Sequence, residues 1–367
     1  MRLIVQILNT YGFIMGMTSY LTIEGGFRQT RITQTYAVVV NAITLILLPI
    51  GFLKSAQLMT MAQWLPSYMW ITPYVLFSIN YAVIAYTLIS RCFRDAMLMD
   101  LQFVIIQINR EMTRTGKRLN SKLRQLFLVK TFTLSYLCLS YFLGIIVYQS
   151  LFKLPWSEAW IGFLVNLFLS ILILVTYFYF ISFWQIARGF DFVNERFKEV
   201  ISDQSIGSKS QAEEIRSLWA LHATLSRTAL EINRHYGPQM LASRFDYFIF
   251  SIIYGYIGTV SMNYDQTTSM EKFYGALLYW TRSVDFFMND YICDLVTEYQ
   301  SQPKYFASKG TMSNELSSFL IYDSSTRLEL MVCGLYPANR NRWLQMVASI
   351  VVYSITLLQF HLVMRNK

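Results

Sequence analysis

The sequence predicts an all-α membrane protein with seven transmembrane helices, an intracellular N-terminus and helical extensions in the cytosol. Three observations predict this fold class. Of the 367 residues, 54% are hydrophobic and only 14% are charged. Seven windows are long and apolar enough to cross a bilayer as a helix, which takes about 20 residues. Lys and Arg are concentrated in every second linker between these windows.

The predicted spans differ in how apolar they are. The fourth runs from Trp160 to Ala187 without a charged side chain, whereas Arg282, Asp285 and Asp290 interrupt the sixth, which is the weakest. The seven windows are 36–54, 68–90, 129–151, 160–187, 240–262, 273–294 and 343–364.

The basic linkers predict the orientation, because positively charged loops stay on the cytosolic side. The other loops offer only Lys54, Lys153 and Lys272, so they face outward. The N-terminus is then inside and the C-terminus outside, and residues 1–16 are not expected to be a cleaved signal peptide. The predicted regions are a cytosolic segment 1–35, spans one to four in 36–187 with the basic linker 91–128, a cytosolic helical linker 188–239, spans five and six in 240–294, a cytosolic linker 295–342 and the last span 343–364.

Parts of the cytosolic linkers keep a helical spacing of apolar residues. Phe190, Val193 and Phe197 recur at i, i+3 and i+7, and a similar pattern starts at Ile215, so helices should project into the cytosol. The polar stretches Ser202–Gln211 and Lys304–Asn314 predict breaks between helices, and each is a candidate for a disordered loop.

Several functional classes are disfavoured. The net charge is +9, and the basic residues lie between the apolar runs, so membrane topology explains the charge better than a nucleic-acid partner does. The four cysteines and three histidines have no metal-ligand spacing, and no catalytic constellation emerges. We therefore predict no metal, no cofactor and no enzymatic activity.

The charges in the sixth span need a physical reason. An Arg at mid-span costs about 2.5–3.5 kcal/mol on insertion scales, and Asp285 at i+3 is the partner we expect for Arg282. Two interpretations stay open. The pair is either internal to the bundle, or Arg282, Asp285 or Asp290 bounds a ligand pocket or couples it to a pore.

The last span carries a motif, Tyr353 followed by five residues and then Gln359 and Phe360. It resembles the signature of the insect gustatory receptor family, in which a Thr-Tyr precedes the five residues; Val352 stands in place of the Thr. The stretch Asn233–Leu241 at the entry to the fifth span also resembles the family. The chain length and the predicted topology, with the N-terminus inside and the C-terminus outside, extend the resemblance over the whole chain.

The resemblance implies a ligand-gated, non-selective cation channel, a homo- or hetero-tetramer with other gustatory receptor subunits. The last helix of each subunit would line the pore, and the cytosolic extensions would form a central anchor domain. The ligand would be a small-molecule tastant, and bitter compounds are the ligand class expected by default. The protein would lie in the plasma membrane of chemosensory neurons, surrounded by lipid. The implied pore and gate residues are Tyr353, Thr356, Gln359, Phe360 and Val363.

Two of the gate residues have other possible roles. Gln359 could instead hydrogen-bond a neighbouring helix. The Thr356 hydroxyl could bond its own backbone at i−4 and so be hidden from the pore.

A ligand site between helices should be concave and aromatic, with a few polar groups to orient the ligand. Aromatic residues near the membrane interface also form belts, so each candidate has that second interpretation. The candidate pocket residues are Trp70, Tyr74, Tyr141, Tyr148, Trp160, Asn166, Tyr279, Trp280, Arg282 and Asp285.

Two alternative functions remain. A G-protein-coupled receptor also has seven spans, but it would need an external N-terminus and motifs that the sequence lacks. A transporter would use Arg282 and Asp285 as a midplane site, but the paired Gly/Pro-broken helices of many transporters are missing.

Overall fold

The computed structural model describes residues 2–23, 26–60, 70–114, 120–152, 156–202, 208–262, 269–302 and 314–365. Within them the chain forms ten helices and two short antiparallel hairpins. The helices are α1 Arg2–Ile14, α2 Arg31–Thr60, α3 Thr72–Ile89, α4 Arg91–Arg114, α5 Ser121–Phe152, α6 Trp156–Ser202, α7 Ser208–Met262, α8 Ser269–Ser301, α9 Asn314–Ser325 and α10 Arg340–Arg365. The hairpins pair β1 Tyr20–Ile23 with β2 Gly26–Gln29, and β3 Met331–Val332 with β4 Tyr336–Pro337.

Each predicted span coincides with a helix in the described residues. Of these helices α2, α3, α5, α6 and α10 are long and apolar enough to cross a membrane. In the described part of the chain, α7 and α8 do not reach that criterion, and α8 carries three charges near its middle. Seven crossings and their orientation therefore stay predictions, as do the region boundaries.

Helix α6 is the centre of the bundle. From Trp160 to Ala187 its sequence is apolar on every side, which is the pattern of a helix surrounded by other helices. Neighbours are α2, α3, α4, α5, α7 and α8, and 61% of its apolar window is buried. Ser170, Thr176 and Ser182 each donate a hydrogen bond to a carbonyl of the same helix. The charge-free window from Trp160 to Ala187 therefore supplies much of the core.

The described residues of the predicted helical linker 188–239 are helical. The second half of α6 packs on the first half of α7, where the ring centroids of Phe190 and His222 lie 5.1 Å apart. His222 Nε2 also lies 3.1 Å from the Gln300 carbonyl oxygen of α8. Phe319 of α9 stacks on Phe197 at 4.8 Å between centroids. α6 ends at Ser202 and α7 begins at Ser208, at the predicted break; residues 203–207 and 303–313 lie outside the described residues.

The N-terminal segment packs on the bundle at two places. In α1, the Tyr11 hydroxyl lies 2.8 Å from Ser170 Oγ of α6. After α1, the backbone N–H and the hydroxyl of Ser19 both donate to Asp95 Oδ2 of α4, at 2.8 and 2.5 Å. The first 30 residues are thus attached to α6 and α4 rather than separate from the helices.

Candidate ligand cavity and pore helix

Helices α5, α6, α7 and α8 line a small, partly open cavity. Its volume is about 20 Å³, which is room for about one water molecule. Polar and charged groups enter it from three of the helices, among apolar and aromatic neighbours. The lining residues are Leu137, Tyr141, Leu172, Ile173, Thr176, Ser243, Asp246, Arg282, Asp285 and Phe286.

Asp285 ties α8 to α5 beside this cavity. Lys130 Nζ donates to Asp285 Oδ2 at 2.8 Å and to the Asp285 carbonyl at 3.0 Å. Thr133 Oγ1 lies 2.8 Å from Oδ1 of the same carboxylate. The Lys130 side chain is completely buried. Two buried charges are thus neutralised and hydrogen-bonded together, which is the condition for keeping ions out of water.

Two further ion pairs tie α8 to α7. Arg282 donates to Asp246 Oδ2 at 2.8 Å and lies over the Phe250 ring, with its guanidinium carbon 3.7 Å from the centroid. Deeper in the bundle, Arg244 contacts Asp290, and both side chains are buried. Three cations therefore face three carboxylates, and the cluster has no net charge.

The expected partnership of Arg282 with Asp285 is wrong. Residues three apart on one helix share a face, but each of these two side chains meets a charge on a different neighbouring helix. The sequence interpretation missed Lys130, Arg244 and Asp246. All three lie inside predicted apolar windows, where a charge calls for a partner of opposite sign, and this was the available signal.

The predicted pocket residues differ in where they lie. Tyr141, Arg282 and Asp285 line the cavity. Trp70, Trp160 and Trp280 are 53%, 64% and 64% exposed, respectively, which also suits a membrane belt. Half-buried Tyr74, Asn166 and Tyr279 lie outside the lining, and the Tyr148 side chain lies outside the described residues.

The last helix, α10, packs along one face only. It contacts α7 and α8. Ser354 Oγ donates to the Ile252 carbonyl at 3.1 Å, and Tyr256 Oη lies 2.9 Å from His361 Nδ1. Ile350 is buried on the same face. Only 6% of the apolar window of α10 is buried, so this helix is apolar yet uncovered within one chain.

The opposite face of α10 carries most of the predicted gate residues. At about 100° per residue, Thr356 lies roughly opposite Ser354, and Gln359 and Val363 follow on that side. All three are exposed. Tyr353 and Phe360 lie seven residues apart on an edge nearer α7, where Tyr353 meets Phe248 edge-on at 6.0 Å. The predicted gate residues therefore occupy one face and one edge.

The Thr356 hydroxyl is engaged with its own helix. Its Oγ1 donates to the Val352 carbonyl at 2.9 Å, which is the i−4 bond anticipated from the sequence. The methyl group is then the part of Thr356 left to face outward. In this respect the position resembles an aliphatic residue.

The start of α10 is joined to α8. Arg340 donates to Asp294 Oδ2 through its backbone N–H at 3.0 Å and through Nε at 2.7 Å. Phe287 and Trp343 contact each other with ring centroids 4.8 Å apart. Because Asp285 and Arg282 lie on the same helix, α8 connects the cavity directly to the base of α10.

The described residues contain no group of three or more His, Cys, Asp or Glu side chains that could hold a metal ion.

Comparisons with known proteins give consistent matches. The sequence pattern of the 7tm chemosensory receptor family matches residues 5–364. The chain is 64% identical over 302 residues to "Putative gustatory receptor 59b" of Drosophila erecta, covering 82% of this chain and 51% of the relative. It thus spans about half the length of that curated relative.

Solved structures resemble the fold. The insect olfactory receptor OR5 from Machilis hrabei superimposes with a TM-score of 0.65 at 13% identity. The same receptor in complex with eugenol gives a TM-score of 0.64 at 14% identity. Both comparisons cover 97% of this chain and 98% of the other. At this identity the likeness concerns the fold alone.

Proposed function

Because the chain belongs to the 7tm chemosensory receptor family, we propose that it is a gustatory receptor that works as a ligand-gated, non-selective cation channel. Four subunits, identical or mixed, would surround a pore lined by α10, in the plasma membrane of chemosensory neurons. The ligand would be a small-molecule tastant, with bitter compounds as the first class to examine.

The observation that carries this proposal is the uncovered face of α10. The helix is apolar enough to cross a membrane, yet almost all of it is exposed in one chain. Lipid could cover apolar residues, but Gln345 and Gln359 also lie on the side away from α7. Polar side chains within a membrane usually face protein or a water-filled path. A pore between copies of α10 provides both.

Cysteine substitution tests whether this face meets water in the open channel. Gln359→Cys should make a ligand-evoked current sensitive to a charged, membrane-impermeant thiol reagent. Leu357→Cys is the matched control, because Leu357 lies on the α7 side and is partly buried. Currents blocked through position 357 but not 359 would contradict the proposed pore face.

The orientation separates this proposal from a G-protein-coupled receptor. A tag at each terminus, probed in intact cells, should be accessible at the C-terminus only. Detection of the N-terminal tag at the outer surface would exclude the channel arrangement proposed here.

The transporter alternative loses its main support. It requires Arg282 and Asp285 to be available to a substrate, but each is bonded to a residue of a neighbouring helix. Their pairing instead supports a structural role beside the cavity.

A further inference from the structure

Two buried polar atoms of α7 lack partners beside the cavity. Ser243 and Asp246 both line it and are 4% and 3% exposed. Among the described residues, Ser243 Oγ and Asp246 Oδ1 have no hydrogen-bond partner. The two residues lie three apart and so share one helix face. Since buried polar atoms are nearly always hydrogen-bonded, these two atoms mark the place of an occupant.

The hydrogen-bonding capacity of the two groups defines that occupant. The carboxylate oxygen of Asp246 can only accept, whereas the Ser243 hydroxyl can donate as well as accept. A hydroxyl group matches both, because it can donate to Asp246 and accept from Ser243 at the same time. A carboxylate has no donor to offer Asp246, whereas an ammonium group could donate to both, so charge has to decide between an ammonium and a hydroxyl group.

The charge balance also favours a neutral occupant. Asp246 is neutralised by Arg282, and Asp285 is neutralised by Lys130. A charged ligand would leave one unpaired charge inside the bundle, which is costly at low dielectric. A neutral hydroxyl satisfies the free acceptor without changing the net charge.

The size of the cavity limits what enters it. About 20 Å³ admits one water or one hydroxyl group, so the body of a ligand would lie outside the cavity, beyond its opening. A ligand hydroxyl can replace a bound water there if it reproduces the hydrogen bonds of that water.

We propose that Ser243 and Asp246 recognise the hydroxyl group of a neutral ligand, which makes alcohols and phenols the ligand class of this cavity. This inference rests on the proposed receptor function and specifies its ligand. An occupant here also contacts the Arg282–Asp246 pair, so its position is suited to shift α8, which holds the base of α10 through Asp294 and Arg340.

Binding to the purified full-length chain in detergent tests the proposal without needing a current. The probes are matched sets on phenyl, naphthyl and cyclohexyl rings: for the phenyl ring, benzyl alcohol, benzyl methyl ether, benzylamine and benzoate. Thermal unfolding identifies the members that stabilise the protein. The alcohols should do so, and their methyl ethers should bind more weakly because they cannot donate to Asp246.

Ser243→Ala tests the site itself because it leaves the Arg282–Asp246 pair intact. It should weaken alcohol binding by about 2- to 10-fold, the loss of one neutral hydrogen bond. Ser251→Ala is the matched control, a buried serine of the same helix that does not line the cavity. Its affinity for the alcohols should be unchanged.

Several outcomes would overturn the proposal. These are equal binding of the methyl ethers, stabilisation by the amines or carboxylates instead of the alcohols, no stabilisation by any alcohol, or equal effects of Ser243→Ala and Ser251→Ala. A density map of the alcohol-saturated protein with only water between Ser243 and Asp246 would also do so. Alcohol binding without any current would instead count against the channel and leave this site supported.

Discussion

Lys130 Nζ lies 2.8 Å from Asp285 Oδ2, and this pair joins two helices that are far apart in the sequence. Both side chains are buried away from bulk solvent, which therefore does not compete for either charge. The pair leaves Arg282, three residues before Asp285, available to Asp246 of α7. Helix α8 is therefore held on one side by α5 and on the other by α7.

Removing Lys130 should destabilise the bundle strongly. Lys130→Met leaves the Asp285 carboxylate buried without a cation, which typically costs about 3–5 kcal/mol. The measurement is the thermal unfolding midpoint in detergent together with surface expression. The double variant Lys130→Met/Asp285→Leu should regain most of the loss because no charge is left unpaired. A single variant as stable as the unaltered protein would contradict the role assigned to this pair.

Breaking the exposed pair at the base of α10 should affect gating more than stability. The side chains of Arg340 and Asp294 are 48% and 24% exposed, and such pairs contribute about 0–1 kcal/mol. Arg340→Gln should keep surface expression but raise the current without ligand, since it weakens the attachment of α10 to α8. Arg342→Gln, two residues further along the same helix, is the control. Equal effects of the two substitutions would refute a specific attachment.

The crossing of α7 and α10 should not tolerate a side chain at Gly255. A Cβ there would lie 2.9 Å from Ser354 Oγ, so Gly255→Val must separate the helices. We expect a destabilisation of about 1–3 kcal/mol, the usual cost of overpacking, and a loss of ligand-evoked current. Gly258→Val is the control, because a Cβ at that position meets no atom within 4 Å. Unfolding midpoints and currents of both variants check this.

The attachment of α1 to α6 can be examined in the same way. A Cβ at Gly12 would lie 2.7 Å from the Phe178 ring, which is buried. Gly12→Val should therefore lower the free energy of unfolding by about 1–3 kcal/mol. Gly162→Val, on α6 but in open space, should be near neutral. If residues 1–35 were a segment detached from the helices, the two variants would behave alike.

The helices themselves were predictable from the sequence because hydropathy and apolar spacing are local properties. Windows such as 160–187 coincide with helices, and the break predicted at Ser202–Gln211 coincides with the end of α6 and the start of α7. The motif of Tyr353, Gln359 and Phe360 pointed to the family that the whole-chain match identifies. The i−4 bond of Thr356 was also anticipated, since it depends on one helix only.

The candidate site was predictable only in part. Tyr141, Arg282 and Asp285 were expected in a pocket and do line the cavity. Ser243 and Asp246 were not identified, because nothing in their local sequence separates them from other polar residues of a long helix. Their importance arises from the cavity that three other helices form around them.

The sequence by itself determined that this chain is a bundle of long apolar helices with paired charges in its interior and a distinctive last helix. Only the tertiary structure decided which charges pair, which face of α10 meets α7, and which glycines allow close approach. The physical reason is that an ion pair or a helix crossing depends on distance through space. Spacing along one helix says which residues share a face, but not which neighbouring helix that face meets.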